Sequence, residues 1–177
     1  MLQPIATPNT TKARVLVVED ESIVRWDIEN TLKEGGHSVV ASCGSGEEAI
    51  ELCDEHRPQV VLMDIALSGG ITGIEAAKRI RERTGSAVVF LTANSDKGTV
   101  SRARAAVPYG YVIKPFRPVD LMVAIEMALH NHGKDSSLRR ERDDLLAAAH
   151  RAGALGGVGV DVEPDRRAHR ELPRHLE

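Results

Sequence analysis

Five short runs of aliphatic and mostly β-branched residues recur between Ala13 and Asn131, and they restrict the fold more than any other feature. They are Val15-Leu16-Val17-Val18, Val39-Val40-Ala41, Val60-Val61-Leu62-Met63, Ala87-Val88-Val89-Phe90-Leu91 and Tyr111-Val112-Ile113. Each is nearly continuous and bounded by polar or turn residues, as expected of strands covered on both faces.

The segments between the runs carry helical spacing. Ile23, Trp26 and Leu32 lie between Asp20-Glu21-Ser22 and Gly35-Gly36, a pair suited to a left-handed stop. Ser45 is placed to cap a helix containing Ala49, Ile50, Leu52 and Cys53, with Glu48 completing a capping box; Thr72 and Glu75 repeat the arrangement before residues 73–83. Thr99 to Pro108 is Arg/Ala-rich and poor in large apolar residues, so a fourth helix there is expected to be loosely packed or partner-dependent. Pro118 opens a fifth, in which Leu121, Ile125 and Leu129 recur. Strand and helix thus alternate five times. That grammar predicts an α/β protein: a doubly wound, five-stranded parallel sheet with right-handed crossovers.

Residues 1–12 are polar and Pro/Thr-rich and read as a flexible tail ahead of a domain spanning residues 13–131. Gly133-Lys134-Asp135-Ser136-Ser137 reads as a cap or hinge. Residues 132–152 form a helical linker in which Leu138 and Leu145 stand one heptad apart among dense charges. It is either a solvated extension or one strand of a dimeric coiled coil. Residues 153–177 have too little apolar content for a core of their own. They are expected to be a disordered tail or the opening of a further domain.

Charge and cysteine content exclude other classes. With 23 basic against 26 acidic residues there is no global basic field, and Arg139-Arg140 and Arg166-Arg167 read as solvated clusters, so direct DNA binding is not expected. The longest apolar runs are far below the ~18 residues that cross a bilayer, and the start is not a secretory signal. Two cysteines, Cys43 and Cys53, neither staple a fold nor space a metal site, which points to a reducing, cytoplasmic setting. His130 and His132 form an H-x-H pair without further ligands nearby.

In open α/β sheets the loops at the carboxyl ends of strands build the site. Here those ends carry Glu19-Asp20-Glu21, Asp64, Thr92-Ala93-Asn94 and Lys114-Pro115-Phe116. Glu19, Asp20 and Asp64 in one place would repel unless a hard cation lay among them; Mg²⁺, which takes oxygen ligands, suits this. Carboxylates, the Lys114 ammonium and the Thr92 hydroxyl around such an ion make a phosphoryl site. An aspartate there can serve as nucleophile and become an acyl phosphate, and Asp64 is the natural choice. The competing reading of Asp20 or Glu21 is a cap for the first helix.

The motifs Val15-Leu16-Val17-Val18-Glu19-Asp20-Glu21, Val61-Leu62-Met63-Asp64-Ile65, Phe90-Leu91-Thr92-Ala93 and Gly110-Tyr111-Val112-Ile113-Lys114-Pro115-Phe116 resemble, in this order, the receiver domain of two-component response regulators. The resemblance covers residues 13–131 and implies a CheY-like, flavodoxin-like (βα)₅ fold. It implies Asp64 as the phosphoacceptor, Glu19 and Asp20 with Asp64 as Mg²⁺ ligands, and the Ala66 backbone carbonyl as a further one. Thr92, Ala93 and Lys114 would bind the phosphoryl group, and Thr92 and Tyr111 would be the switch pair. The loop Leu67-Ser68-Gly69-Gly70-Ile71-Thr72-Gly73 departs from the family by lacking a proline and by its glycine pair.

The implied partners are a sensor histidine kinase or phosphotransfer protein and, through the face made by the fourth helix, fifth strand and fifth helix, a phosphorylation-dependent twin. No membrane partner is implied. The implied activity is bacterial signalling, limited to the domain's own phosphorylation and dephosphorylation. Ala154-Leu155-Gly156-Gly157-Val158-Gly159-Val160-Asp161 faintly resembles the opening of a PAS sensor domain. A rival class, the aspartate-nucleophile phosphatase, wants an acid two positions after the nucleophile, where this chain has Ala66.

Overall fold

The computed structural model describes residues 12–93 and 106–155, with side chains as far as residue 151. Its elements are β1 (Arg14–Val18), α1 (Ser22–Glu34), β2 (Ser38–Cys43), α2 (Gly46–His56), β3 (Val60–Asp64), α3 (Gly73–Thr84), β4 (Ala87–Ala93), β5 (Gly110–Lys114) and α4 (Pro118–Leu155). All strand pairs are parallel, in the order β2-β1-β3-β4-β5. This is the doubly wound, flavodoxin-like arrangement, with its functional crevice expected at the carboxyl ends of the strands. The helix expected over Thr99 to Pro108 falls largely outside the described residues, as do residues 1–11 and 156–177.

Period-2 alternation divides the strands between two core layers. Leu16, Val18, Val61, Met63, Val88 and Phe90 face α2 and α3, meeting Ala49, Ile50, Cys53, Ala76, Ala77 and Ile80. Val15, Val17, Leu62, Val89, Leu91 and Val112 face α1 and α4, meeting Ile28, Leu32, Leu121, Ile125 and Ala128. Only β3 is buried along its whole length, and β1 and β4 nearly so, whereas β2 and β5 are half-exposed. Complete two-faced coverage was expected of all five runs; β2 and β5 are instead the edges of the sheet, each paired with a neighbouring strand on one side only.

Local signals act as read. Ser45 Oγ accepts the Glu48 amide at 3.3 Å and Thr72 Oγ1 the Glu75 amide at 3.2 Å. The left-handed residue after α1 is Gly36, at φ +83°, one position beyond the cap Gly35. Glu21 caps α1 without any side-chain hydrogen bond, which leaves the Asp20 carboxylate to other partners. Cys43 and Cys53 are buried free thiols, pushed up by burial to about 11 and about 12.

At Gly133 to Ser137 the expected cap or hinge is instead continuous helix. Ser137 Oγ donates to Gly133 O at 3.0 Å, satisfying its hydroxyl within the helix rather than breaking it. Two compact units are distinguished, residues 1–138 and 139–177; of the second, the described part is the last stretch of α4. No helix among the described residues is long and apolar enough to cross a membrane.

Candidate functional site

Four strands deliver polar groups to one rim. Glu19 follows β1 and is fully buried; its amide donates to Cys43 O at the end of β2 at 3.0 Å, and its carbonyl accepts from the Arg25 guanidinium. Asp64 closes β3 and is 5% exposed. Lys114 closes β5, two strands away, and its side chain crosses to the others. Lys114 Nζ donates to Glu19 Oε2 at 2.5 Å and to Asp64 Oδ2 at 2.8 Å. The second Asp64 oxygen accepts the Ala66 amide at 3.1 Å. Glu19 Oε1 accepts the Glu21 amide at 3.4 Å.

Asp20 completes the group. Oxygens of Glu19, Asp20 and Asp64 lie within 4.8 Å of one another, a set that could hold a metal ion. All three offer hard oxygen ligands, and the half-buried Asp20 leaves the cluster open on one side, as a hydrated divalent cation requires. One ammonium against three carboxylates leaves a deficit of positive charge that such an ion would make up.

Proton affinities follow from these contacts. Burial raises the Glu19 carboxyl above its usual range, aided by the nearby Asp64 charge and opposed by the Lys114 hydrogen bond. Burial alone would lower Lys114, but hydrogen bonds to Asp64 and Glu19 and their charges outweigh it, so the ammonium is held above its ordinary value. Hydrogen bonding from Ser68 lowers Asp20, whose Oδ2 accepts the Ser68 amide at 3.1 Å.

The remaining residues named from sequence stand nearby in register. Thr92 is one residue beyond Leu91, the register partner of Asp64; it is buried, and its hydroxyl donates to Ala93 O at 3.2 Å. Ala93 and Ala66 are exposed. Tyr111 pairs with Phe90 in register, their ring centroids 5.9 Å apart, and is 36% exposed.

Three contributors escaped sequence reasoning. Ser68 acts on Asp20 through its side chain and its amide together. Arg25, in the first turn of α1, reaches back six residues to the Glu19 carbonyl. Gly73 lies beneath Asp64: a Cβ there would stand 1.9 Å from the Asp64 carbonyl oxygen, so only glycine lets α3 start this close to the acidic strand end. Its one sequence signal is its place directly after the cap Thr72.

A parallel 2-1-3-4-5 sheet bearing at its carboxyl rim a cross-strand lysine and an acidic cluster that could hold a metal ion defines a doubly wound α/β domain with its crevice at that edge. Residues 15–126 match the response regulator receiver domain, and the chain belongs to that family. It is 39% identical over 128 residues to the transcriptional regulatory protein PdtaR of Mycobacterium tuberculosis, a match covering 72% of this chain and 62% of that protein. The crystal structure of the signal receiver domain of a modulated diguanylate cyclase from Desulfovibrio desulfuricans superposes with TM-score 0.67 at 32% identity, covering 71% of this chain and 99% of that one. Vibrio cholerae chemotaxis protein CheY4 superposes with TM-score 0.61 at 25% identity, covering 67% of this chain and all of that one.

Proposed function

We propose that this receiver domain is a phosphoacceptor switch in a two-component phosphorelay, with Asp64 as the residue that is phosphorylated. The observation that carries the reading is Lys114 Nζ at 2.8 Å from Asp64 Oδ2 while Glu19 and Asp20 converge on the same carboxylate. An Asp64 oxygen attacks the phosphorus of a phosphohistidine on a sensor kinase or phosphotransfer protein. The P–N bond breaks, the imidazole keeps the electron pair and takes a proton, and Asp64 becomes an acyl phosphate.

Mg²⁺ held by Glu19, Asp20, Asp64 and the Ala66 carbonyl would supply the positive charge that screens the attacking carboxylate from the incoming oxygens. Lys114 then binds a phosphoryl oxygen. Thr92 turns its hydroxyl from Ala93 O to another, and Ala93 lies beside them. The added charge of about −1.5 to −2 favours the state in which Thr92 has moved inward and Tyr111 follows it. Ala66 offers no acid or base two positions after Asp64, which speaks against a turnover phosphatase; the chemistry assigned is limited to the domain's own phosphate.

The domain spans residues 13–131, followed by a helical linker over 132–152, in a cytoplasmic protein. Ile113, Val119, Val123 and Met127 form an exposed apolar surface on β5 and α4, suited to a phosphorylation-dependent twin; Leu138 and Leu145, one heptad apart, are exposed as well. No DNA contact is assigned to these residues: the name of the mycobacterial relative describes a protein of which this match covers 62%.

Incubation with acetyl phosphate and Mg²⁺, followed by intact mass measurement, should add one phosphate to the wild type and none to Asp64→Asn. A wild type that gains no Mg²⁺-dependent mass, or an Asp64→Asn variant that gains it equally, would refute the reading.

A further inference from the structure

The three carboxylates of the acidic cluster are not held alike. Lys114 Nζ pairs with Glu19 and with Asp64, and no salt bridge among the described residues reaches Asp20. Asp20 is also half-buried where the other two are buried. With two like charges beside it and water on its open side, repulsion alone would turn its side chain outward. Ser68 opposes this. Its amide donates to Asp20 Oδ2 at 3.1 Å, and its hydroxyl bonds the same carboxylate. The amides of Asp20 itself and of Glu21 contribute less.

The loop between β3 and α3 fixes where those donors stand. Leu67, directly before Ser68, is buried, and Ile71 packs against the core layer that holds α2 and α3. Thr72 then caps α3. Ser68 is thus carried on a segment anchored on both sides, with the exposed Gly69 and Gly70 between the anchors. The loop contains no proline. A proline in place of Ser68 would offer Asp20 neither a hydroxyl nor an amide proton, whereas serine offers both.

We propose that Ser68 is a positioning residue for the cation site, its amide and hydroxyl holding the Asp20 carboxylate where Asp20, Glu19 and Asp64 can share one divalent ion. This inference rests on the metal-dependent reading above. Ser68 touches neither the ion nor a phosphoryl group; it acts through Asp20, countering the repulsion from Glu19 and Asp64 that the site must overcome before an ion is bound. Its hold does not compete with the ion, because a carboxylate has two oxygens: Oδ2 is engaged by Ser68 and Oδ1 is left to ligate. Hydrogen bonds of this kind to a ligand fix its orientation and raise metal affinity.

The test is a Mg²⁺ titration of the full 177-residue chain at fixed pH and ionic strength. The dissociation constant is read from amide shifts in ¹H–¹⁵N NMR spectra, and Tm is recorded without Mg²⁺. Ser68→Ala keeps the amide and loses the hydroxyl, and should raise the dissociation constant about 10-fold; Ser68→Pro loses both donors and should raise it nearer to about 100-fold. Ser68→Thr keeps both donors and should bind as the wild type does. Because Ser68 is exposed, Ser68→Ala should leave the metal-free Tm nearly unchanged. A contact that only braces the loop would lower Tm and leave the dissociation constant of Ser68→Ala at the wild-type value, and this result overturns the proposal. So does a loss in Ser68→Thr as large as in Ser68→Ala, which would trace the effect to the loop rather than to the donors. A wild type with no saturable Mg²⁺ shift at the Glu19, Asp20 and Asp64 amides instead overturns the metal-dependent phosphoacceptor reading, and the role of Ser68 falls with it.

Discussion

A single methyl group added at Gly73 tests whether α3 sets the position of the acidic strand end. In Gly73→Ala the new Cβ would lie 1.9 Å from Asp64 O, 3.0 Å from Asp64 C and 3.2 Å from Ile65 Cα. These are backbone atoms, so no side chain can swing away and the α3 start or the end of β3 must move. Overpacking of this kind costs about 1–3 kcal/mol. The alanine returns about 0.4–1 kcal/mol by restricting the unfolded chain, leaving a net loss of up to about 2.6 kcal/mol. In a chain of this length each kcal/mol lowers Tm by about 2–4 °C, so thermal unfolding should fall by up to about 10 °C. Because the displaced backbone carries Asp64, acetyl phosphate labelling should slow by about 10- to 100-fold, the scale of an ångström misplacement. Gly110→Ala is the control, since its Cβ meets only Val89 methyls at 3.8 Å. A Gly73→Ala protein with wild-type Tm and wild-type labelling would refute the reasoning, as would equal losses in Gly110→Ala.

Two further predictions concern stability and assembly. His37 is buried, its Nδ1 accepts the Ala13 amide at 3.2 Å, and Nε2 has no partner among the described residues. Burial pushes its pKa below the ordinary 6.5, with the Glu126 charge opposing. The unfolded chain therefore takes up the proton first, so stability present above pH 6.5 is lost as pH falls toward the depressed folded value, by at most about 1.4 kcal/mol per pH unit. Urea midpoints between pH 8 and 5.5 should show this slope, and His37→Gln should flatten it; an unchanged slope in that variant assigns the effect elsewhere. For assembly, light scattering should report a doubled mass with beryllofluoride in the wild type but not in the double variant Leu138→Lys, Leu145→Lys, whose exposed sites leave stability within about 0.5 kcal/mol. A mass that beryllofluoride leaves unchanged in the wild type would remove the twin as partner.

The strands and caps were legible because their causes are local. Continuous apolar runs at Val60–Met63 and Ala87–Leu91 can only be strands buried on both faces or short buried helices, and β-branching decides between them. Ser45 and Thr72 announce their helices because a cap needs only the amide three residues on. Even the acidic strand ends could be read, since parallel strands must all finish on one rim.

Distance in sequence hid the rest. Glu19, Asp64 and Lys114 were read to one rim, but that the Lys114 ammonium bridges Glu19 Oε2 and Asp64 Oδ2, across 95 and 50 residues, depends on the strand order, which no local pattern encodes. Gly73 against Asp64, Ser68 on Asp20 and Tyr109 on Asp135 are likewise products of how crossovers stack. Gly133 was misread as a hinge because its propensity cost of about 1 kcal/mol is visible locally, whereas the anchoring of α4 through Leu121, Ile125, Ala128 and His132 is not. Residue order alone thus determined which segments are strands and helices and which chemical groups stand at their ends. Tertiary packing decided which of those groups touch, because contact energies act through space while propensities act only along the chain.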